Sequence, residues 1–322
     1  MQHQLGGRAS VLLLLLSALP AHAKDLLVGP GQPYDRPSAA IRAAQPGDQV
    51  LIDPGEYYDC ATWSTPNLTI AGRAPGVVLT DVTCQGKAIL VVGGQGTTIR
   101  ALTLTRARVP DGNGAGIRLE APGLTLDAVT FTNDQAGLLS GAAGGAIIVT
   151  NCRFEGVGAA GDRPTYAILS GPADQLLVRG SVFEGGAGGA ISSGAAETTL
   201  ASNTITTPGT LPPVVASGRL TLVGNTFEVG AGATGRRAAV LALGDAGPVL
   251  RGNRLLNAGP AMALLLDWSG GTPVLDGNQV PSGDSEASTE GAWRHRASDA
   301  AHGAKDGLRS WAGRVKRFIK GQ

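Results

Sequence analysis

The chain has 322 residues, of which 49 are glycine and only 4% are aromatic. A compact core of that length fills with large side chains, so this composition points instead to many tight turns around a thin interior. The net charge of +1 hides a split: residues 24–292 carry 17 Lys/Arg against 23 Asp/Glu, and the segment from Trp293 onward carries eight against two. The four histidines are His3, His22, His295 and His302, and the only lysines between 24 and 292 are Lys24 and Lys87. An imidazole base, a Ser–His pair or a His-ligated metal therefore cannot be built in residues 24–292.

The N-terminus reads as a secretory signal, residues 1–23. Arg8 precedes the apolar run Val11 to Leu16, and Ala21-His22-Ala23 supplies a small-x-small cleavage pattern. The run is too short for a membrane span, and no cysteine follows it for lipid attachment. The mature chain is expected to begin at Lys24 and to work outside the cytoplasm, secreted or periplasmic. Ser38 then stands where it can cap a short helix around Ile41 that ends before Pro46-Gly47, and such a helix is expected to cover the first coil. Gln49 to Ile52 reads as a strand between turns.

From Ile99 to Val280 one phrase recurs eight times, clearest at Leu220 to Phe227 and Pro248 to Leu255. An apolar residue is followed five positions later by another: Ile99/Leu104, Leu126/Phe131, Val149/Phe154, Val178/Phe183, Leu200/Ile205, Leu222/Phe227, Leu250/Leu255 and Leu275/Val280. A phrase repeated every 20 to 30 residues marks a solenoid. Alternation within the phrase argues strands, and the small residue between them argues a corner with positive φ. Three residues past the first apolar position stand Asn203, Asn225, Asn253 and Asn278. Coils stacked about 4.8 Å apart would let these side chains hydrogen-bond along the stack.

A second strand class precedes each phrase, as at Gly116 to Leu119, Tyr166 to Leu169 and Ala261 to Leu266. A leucine-rich repeat has a similar period but needs a helical return, and these returns are Gly/Ala-rich and strand-like. The fold class is therefore all-β, a single parallel β-helix over residues 24–280.

The order helix, then Gly47-Asp48-Gln49-Val50-Leu51-Ile52-Asp53-Pro54-Gly55-Glu56-Tyr57, then Leu68-Thr69-Ile70-Ala71-Gly72, resembles the first coils of right-handed parallel β-helix proteins of the pectate-lyase-like superfamily. Those are secreted polysaccharide lyases, hydrolases and epimerases together with non-catalytic relatives. Gly86 to Val91, Asn113 to Arg118 and Asn133 to Gly137 are similar to a bacterial subgroup of exported β-helix proteins. That subgroup carries Gly-His-x-Ile-Lys-Ser-Arg-Ala, and the corresponding Gly188 to Ala195 lacks the His, Lys and Arg. The resemblance implies a polysaccharide partner, with binding or organising of a cell-envelope polymer ranked above catalysis. The alternative it implies is a Ca²⁺-assisted polyuronate lyase.

Cys60 and Cys84 are about one coil apart, so an oxidising compartment predicts a disulfide between them. Cys152 falls in the inward column and reads as a small buried residue.

The candidate site is a polar patch from Arg106 to Tyr166. Arg118, Glu120 and Asp134 are its candidate catalytic groups, Arg118 and Glu120 sharing the outer face of one strand. Arg106, Asp111, Asn113, Arg163 and Tyr166 are its candidate substrate-binding groups. Tyr57, Tyr58, Trp63, Tyr166 and Trp268 are the aromatics free to stack on sugars, and later coils are expected to present Gly, Ala and Ser outward.

Residues 281–292 read as a polar linker. Beyond them, 293–322 reads as a basic amphipathic helix whose stripe is Leu308, Trp311, Val315, Phe318 and Ile319. It either covers the last coil or lies on an anionic membrane or polyanion. No nucleic-acid partner is implied, and the chain is expected to be a monomer.

Overall fold

The computed structural model of the chain describes residues 23–160, 163–208, 211–230 and 238–289. The proposed signal segment and the C-terminal amphipathic stripe lie outside the described residues.

Each repeated phrase folds as two short strands joined by a one-residue corner, and coils stack in parallel register into about ten turns. The first strands of the phrases build an eleven-stranded sheet and the second strands a nine-stranded one. The second strand class forms a ten-stranded sheet. The register follows the apolar columns: Leu126 pairs with Ile99 and Val149, and Phe131 with Leu104 and Phe154. Apart from the half-buried Leu275 and Val280, every residue of the eight apolar pairs is buried. Phe131, Phe154 and Phe183 stack with centroids 4.7 and 4.6 Å apart. Gly116 and Gly137 make that stack fit, because a Cβ on either would sit 2.7 Å from the ring of Phe131 or Phe154.

The corner between the two strands of each phrase is a column of left-handed backbone: Ala101, Ala128, Asn151, Gly180, Ser202, Gly224, Gly252 and Gly277. A residue with a Cβ gives up about 1 kcal/mol in this conformation. The following residue points inward, and there the asparagine column forms as the sequence predicts. Asn203 donates from Nδ2 to Oδ1 of Asn225 at 2.9 Å, Asn225 to Asn253 at 2.9 Å, and Asn253 to Asn278 at 3.0 Å. Each Nδ2 also donates to a backbone carbonyl, and each Oδ1 also accepts a backbone N–H from the preceding coil. The column runs on through Ser181, whose N–H donates to Asn203 Oδ1 and whose Oγ accepts the N–H of Cys152.

The disulfide joins Cys60 to Cys84, with Cα atoms 5.5 Å apart. Cys152 is free and buried.

Three expectations are corrected. The helix is Pro37–Ala43, and Ser38 is not its cap: Pro37 opens the first turn and the N–H of Ser38 donates to Asp59 Oδ2 at 2.7 Å. Proline at that position has no N–H to satisfy and its fixed φ suits a helix start, so the missing bonds are supplied by a neighbouring coil instead. Ala40 and Ile41 bury into the same core as Val28 and Val50. Secondly, Ser285–Thr289, read as linker, is a strand paired in parallel with Ala263–Asp267. Thirdly, the ten-stranded sheet turns large apolar residues outward. A bend places both Gly116 and Ile117 inside and Arg118 outside, and the same position on later coils holds Leu139, Leu169, Ser192, Val215, Leu241 and Leu266.

Candidate functional site

Sequence reasoning gathers eight residues into one patch. The folded chain separates them into an exposed polar corner, a buried carboxyl and a covered face.

Arg106 stands at the centre of the exposed group. It occupies a second left-handed corner column, with Asp81 one coil before it and Asn133 one coil after. These corners are held by bonds across the stack, from Asp81 N–H to Thr105 O and from Arg106 N–H to Thr132 O, each 3.2 Å. Arg106 grips Asp81 with two parallel bonds, Nε to Oδ1 at 2.9 Å and Nη2 to Oδ2 at 2.7 Å, and reaches Glu56 Oε1 at 3.3 Å. The hydrogen bonds from Arg106 hold Asp81 below the usual carboxylate range, and those to Asp81 raise the guanidinium. Beside them Tyr58 is 63% exposed. The negative charge of Glu56 pushes its phenol up, so it stays a neutral hydroxyl. Arg108, also exposed, donates from Nη2 to the carbonyl of Asn133 at 3.0 Å. Sequence reasoning missed Glu56 and Asp81. The available signal was the coil period, since Asp81 lies 25 residues before Arg106.

Asp111 and Asn113 lie on the loop just past this corner, where Asp111 Oδ1 accepts the N–H of Asn113. Gln135 supports that loop from inside: its Oε1 accepts from Val109 N–H at 2.9 Å and Gly114 N–H at 2.8 Å, and its Nε2 donates to Val109 O at 3.2 Å.

Asp134 is not at the surface. It is 1% exposed, its Oδ1 accepts the N–H of Ala107 at 2.7 Å, and its Oδ2 lies beside Gly116 with no hydrogen-bond partner among the described residues. Burial raises its pKa well above the ordinary carboxylate value. It cannot meet a polymer on the outside. The reason is the corner at Asn133, which turns the next residue inward.

Arg118 and Glu120 have separate surroundings. Glu120 is held by Lys87 Nζ at 2.6 Å, a pairing between adjacent coils. Arg118 is half-buried on the outer face of the ten-stranded sheet, and its Nε has no partner among the described residues. Tyr166 is 3% exposed on that same face, with its ring against Gly189, so it is not a stacking platform. The side chain of Arg163 lies outside the described residues. Of the other aromatics, Tyr57 and Trp63 are buried.

The carboxylates do not suit a Ca²⁺ site. Calcium needs six or more oxygens from several convergent groups, yet Asp81 is taken by Arg106, Glu120 by Lys87, and Asp134 is buried. Among the described residues no three His, Cys, Asp or Glu side chains are grouped to hold an ion. A groove of about 480 Å³ lies where the eleven- and nine-stranded sheets meet, lined by Gly72, Arg73, Pro75, Ala101, Thr103 and Thr130. None of the eight candidates lines it.

No protein-family model matches the chain, and no curated protein does. Solved structures do. A mutant of the PL6 family alginate lyase AlyGC is similar at 16% identity and a TM-score of 0.54, covering 83% of this chain and 40% of that one. The pectin methylesterase from Aspergillus niger gives 15% identity and a TM-score of 0.46, covering 85% and 88%. The pectin methylesterase from Yersinia enterocolitica gives 11% and 0.32, covering 83% and 97%. At these identities the likeness bears on shape alone, and of these three the alginate lyase carries it, with a TM-score above 0.5. In fold the chain is a parallel β-helix, the architecture it shares with the alginate lyase.

Proposed function

We propose that the chain is an exported protein that binds or organises an envelope or extracellular polysaccharide, using the exposed corner around Tyr58 and Arg106. The observation that carries this reading is the grouping of Tyr58, Glu56, Asp81 and Arg106 from three successive coils. An exposed phenol ring offers a flat face for a sugar, and the fixed charges beside it offer directed hydrogen bonds to hydroxyls. The outer face of the nine-stranded sheet continues that surface with Thr103, Thr130 and Arg153 in register. Its strand spacing of about 4.8 Å is close to the length of one sugar unit, so a polymer can lie along the stack. Arg153, paired with Glu155 at 2.7 Å and Glu184 at 2.6 Å, extends the same surface.

Binding ranks above catalysis because the charged groups of the corner are already engaged with one another, Arg106 holding both Asp81 and Glu56. No free base faces a bound uronate there, and among the described residues no carboxylates converge to hold the Ca²⁺ that the lyase would use. The disulfide supports an oxidising compartment. The helix Pro37–Ala43 serves as the N-terminal cap, since it buries Ile41 over the first coils. A glycan-binding screen tests the reading. Acidic and neutral polymers should include a binder whose affinity falls in Tyr58→Ala and in Arg106→Ala. Unsaturated-product absorbance from a uronate polymer, dependent on Ca²⁺, would replace it with the lyase.

A further inference from the structure

An outward residue on a solenoid sheet has neighbours above and below but one open side. On the ten-stranded sheet that side is closed. Val91 and Val215 are 0% exposed, Leu241 1% and Leu139 3%, although the register puts them all in one outward row. With Leu169 and Leu266 they form an apolar cluster separate from the solenoid core. The described apolar side chains packed against it from elsewhere are Cys84, Leu211, Leu243 and Trp268. A row this long is a docking surface with an occupant.

We propose that the occupant is the chain's own C-terminal segment, 290–322, lying lengthwise along this outer face rather than across the end of the solenoid. Three observations select it. The last described strand, Ser285–Thr289, is the edge strand of this same sheet, so the chain leaves at one end of the row. The remaining 33 residues include the stripe Leu308, Trp311, Val315, Phe318 and Ile319. As a helix, Leu308 to Ile319 would be about 17 Å long, the height of three to four coils. Charge agrees as well: the segment from Trp293 carries eight basic residues against two acidic, and residues 24–292 carry 17 against 23. The proposal is independent of the glycan reading, whose corner lies on another face.

Cysteine-pair cross-linking in the full chain tests it. The native cysteines leave no accessible thiol, because two are joined and Cys152 is buried. Leu241→Cys is combined in turn with Trp311→Cys, Val315→Cys and Phe318→Cys, with Thr221→Cys on the eleven-stranded sheet as the control partner. Mild oxidation should give a gel shift with Leu241→Cys and none with Thr221→Cys. A shift only when the body cysteine is at Ser288, on the final strand, would place the segment over the end and overturn the proposal. The full chain carrying both Trp311→Asp and Phe318→Asp supplies a second readout. It should bind an apolar dye more strongly and self-associate. Unchanged dye binding, together with loss of co-sedimentation on anionic vesicles, would assign the segment to a membrane surface instead.

Discussion

Asn225 donates its side-chain N–H to Oδ1 of Asn253 at 2.9 Å while its own Oδ1 accepts the equivalent bond from Asn203 at 2.9 Å. The same Oδ1 takes the backbone N–H of Asn203, and the same Nδ2 serves the carbonyl of Leu200. Asn225 is wholly buried, so truncating it strands polar groups on both adjacent coils. Asn225→Ala is expected to destabilise by about 3 kcal/mol, and Asn278→Ala, half-buried at the end of the column, by about 1 kcal/mol. Denaturant unfolding of the two variants checks the order. Equal effects would mean that the column adds little beyond packing.

Asp134 carries a pH signature. Its folded pKa is raised, so the unfolded chain ionises first, and stability falls as pH rises from the ordinary carboxylate value toward the folded one. Asp134→Asn removes that loss. The variant should match the parent in melting temperature near pH 4 and exceed it at neutral pH. A constant offset at every pH would show that the carboxyl is ionised in place.

The cysteines separate by chemistry. Closing the 24-residue span between Cys60 and Cys84 is worth about 3 kcal/mol, which reduction or the double serine variant should remove. Burial pushes the Cys152 thiol up to about 12, so it should resist alkylation in the folded chain. Without reductant, denaturant should expose one thiol per chain. Mass spectrometry of alkylated protein counts it.

Ala128 holds a φ of 52° in a corner where later coils use glycine, at Gly180, Gly224, Gly252 and Gly277. Ala128→Gly should stabilise by about 0.5 kcal/mol, the relief of strain exceeding the extra freedom of the unfolded chain. Gly224→Ala should destabilise by about 1 kcal/mol. If both changes lower the melting point equally, the corner conformation is not what selects glycine.

The stack itself was legible in the residues because each column repeats a chemical requirement at one position per coil. The Phe131, Phe154 and Phe183 column and the asparagines fix both period and register. Candidate groups were less legible, for a geometric reason. Asn133-Asp134-Gln135 reads as an exposed turn, yet only Asn133 takes the left-handed corner, and one residue later the chain points inward. Tyr166, Leu139 and Leu169 were hidden differently: a sheet covered on both faces loses its polar alternation, so outward apolar residues look like core. Glu56 and Asp81 lie before the first clear repeat at Ile99, and nothing local links them to Arg106.

The asparagine column also makes the chain's length negotiable. Each rung offers the next the same donors and acceptor, so the rungs are interchangeable parts. Excising residues 203–224 removes one strand from each of the three sheets and sets Asn225 where Asn203 stood. Its Oδ1 can then take the N–H of Ser181, and its Nδ2 the carbonyl of Val178, the bonds that Asn203 now makes. A lineage carrying this column can gain or lose whole turns by unequal recombination and keep a closed fold, whereas a loss of half a turn would leave the rungs out of phase.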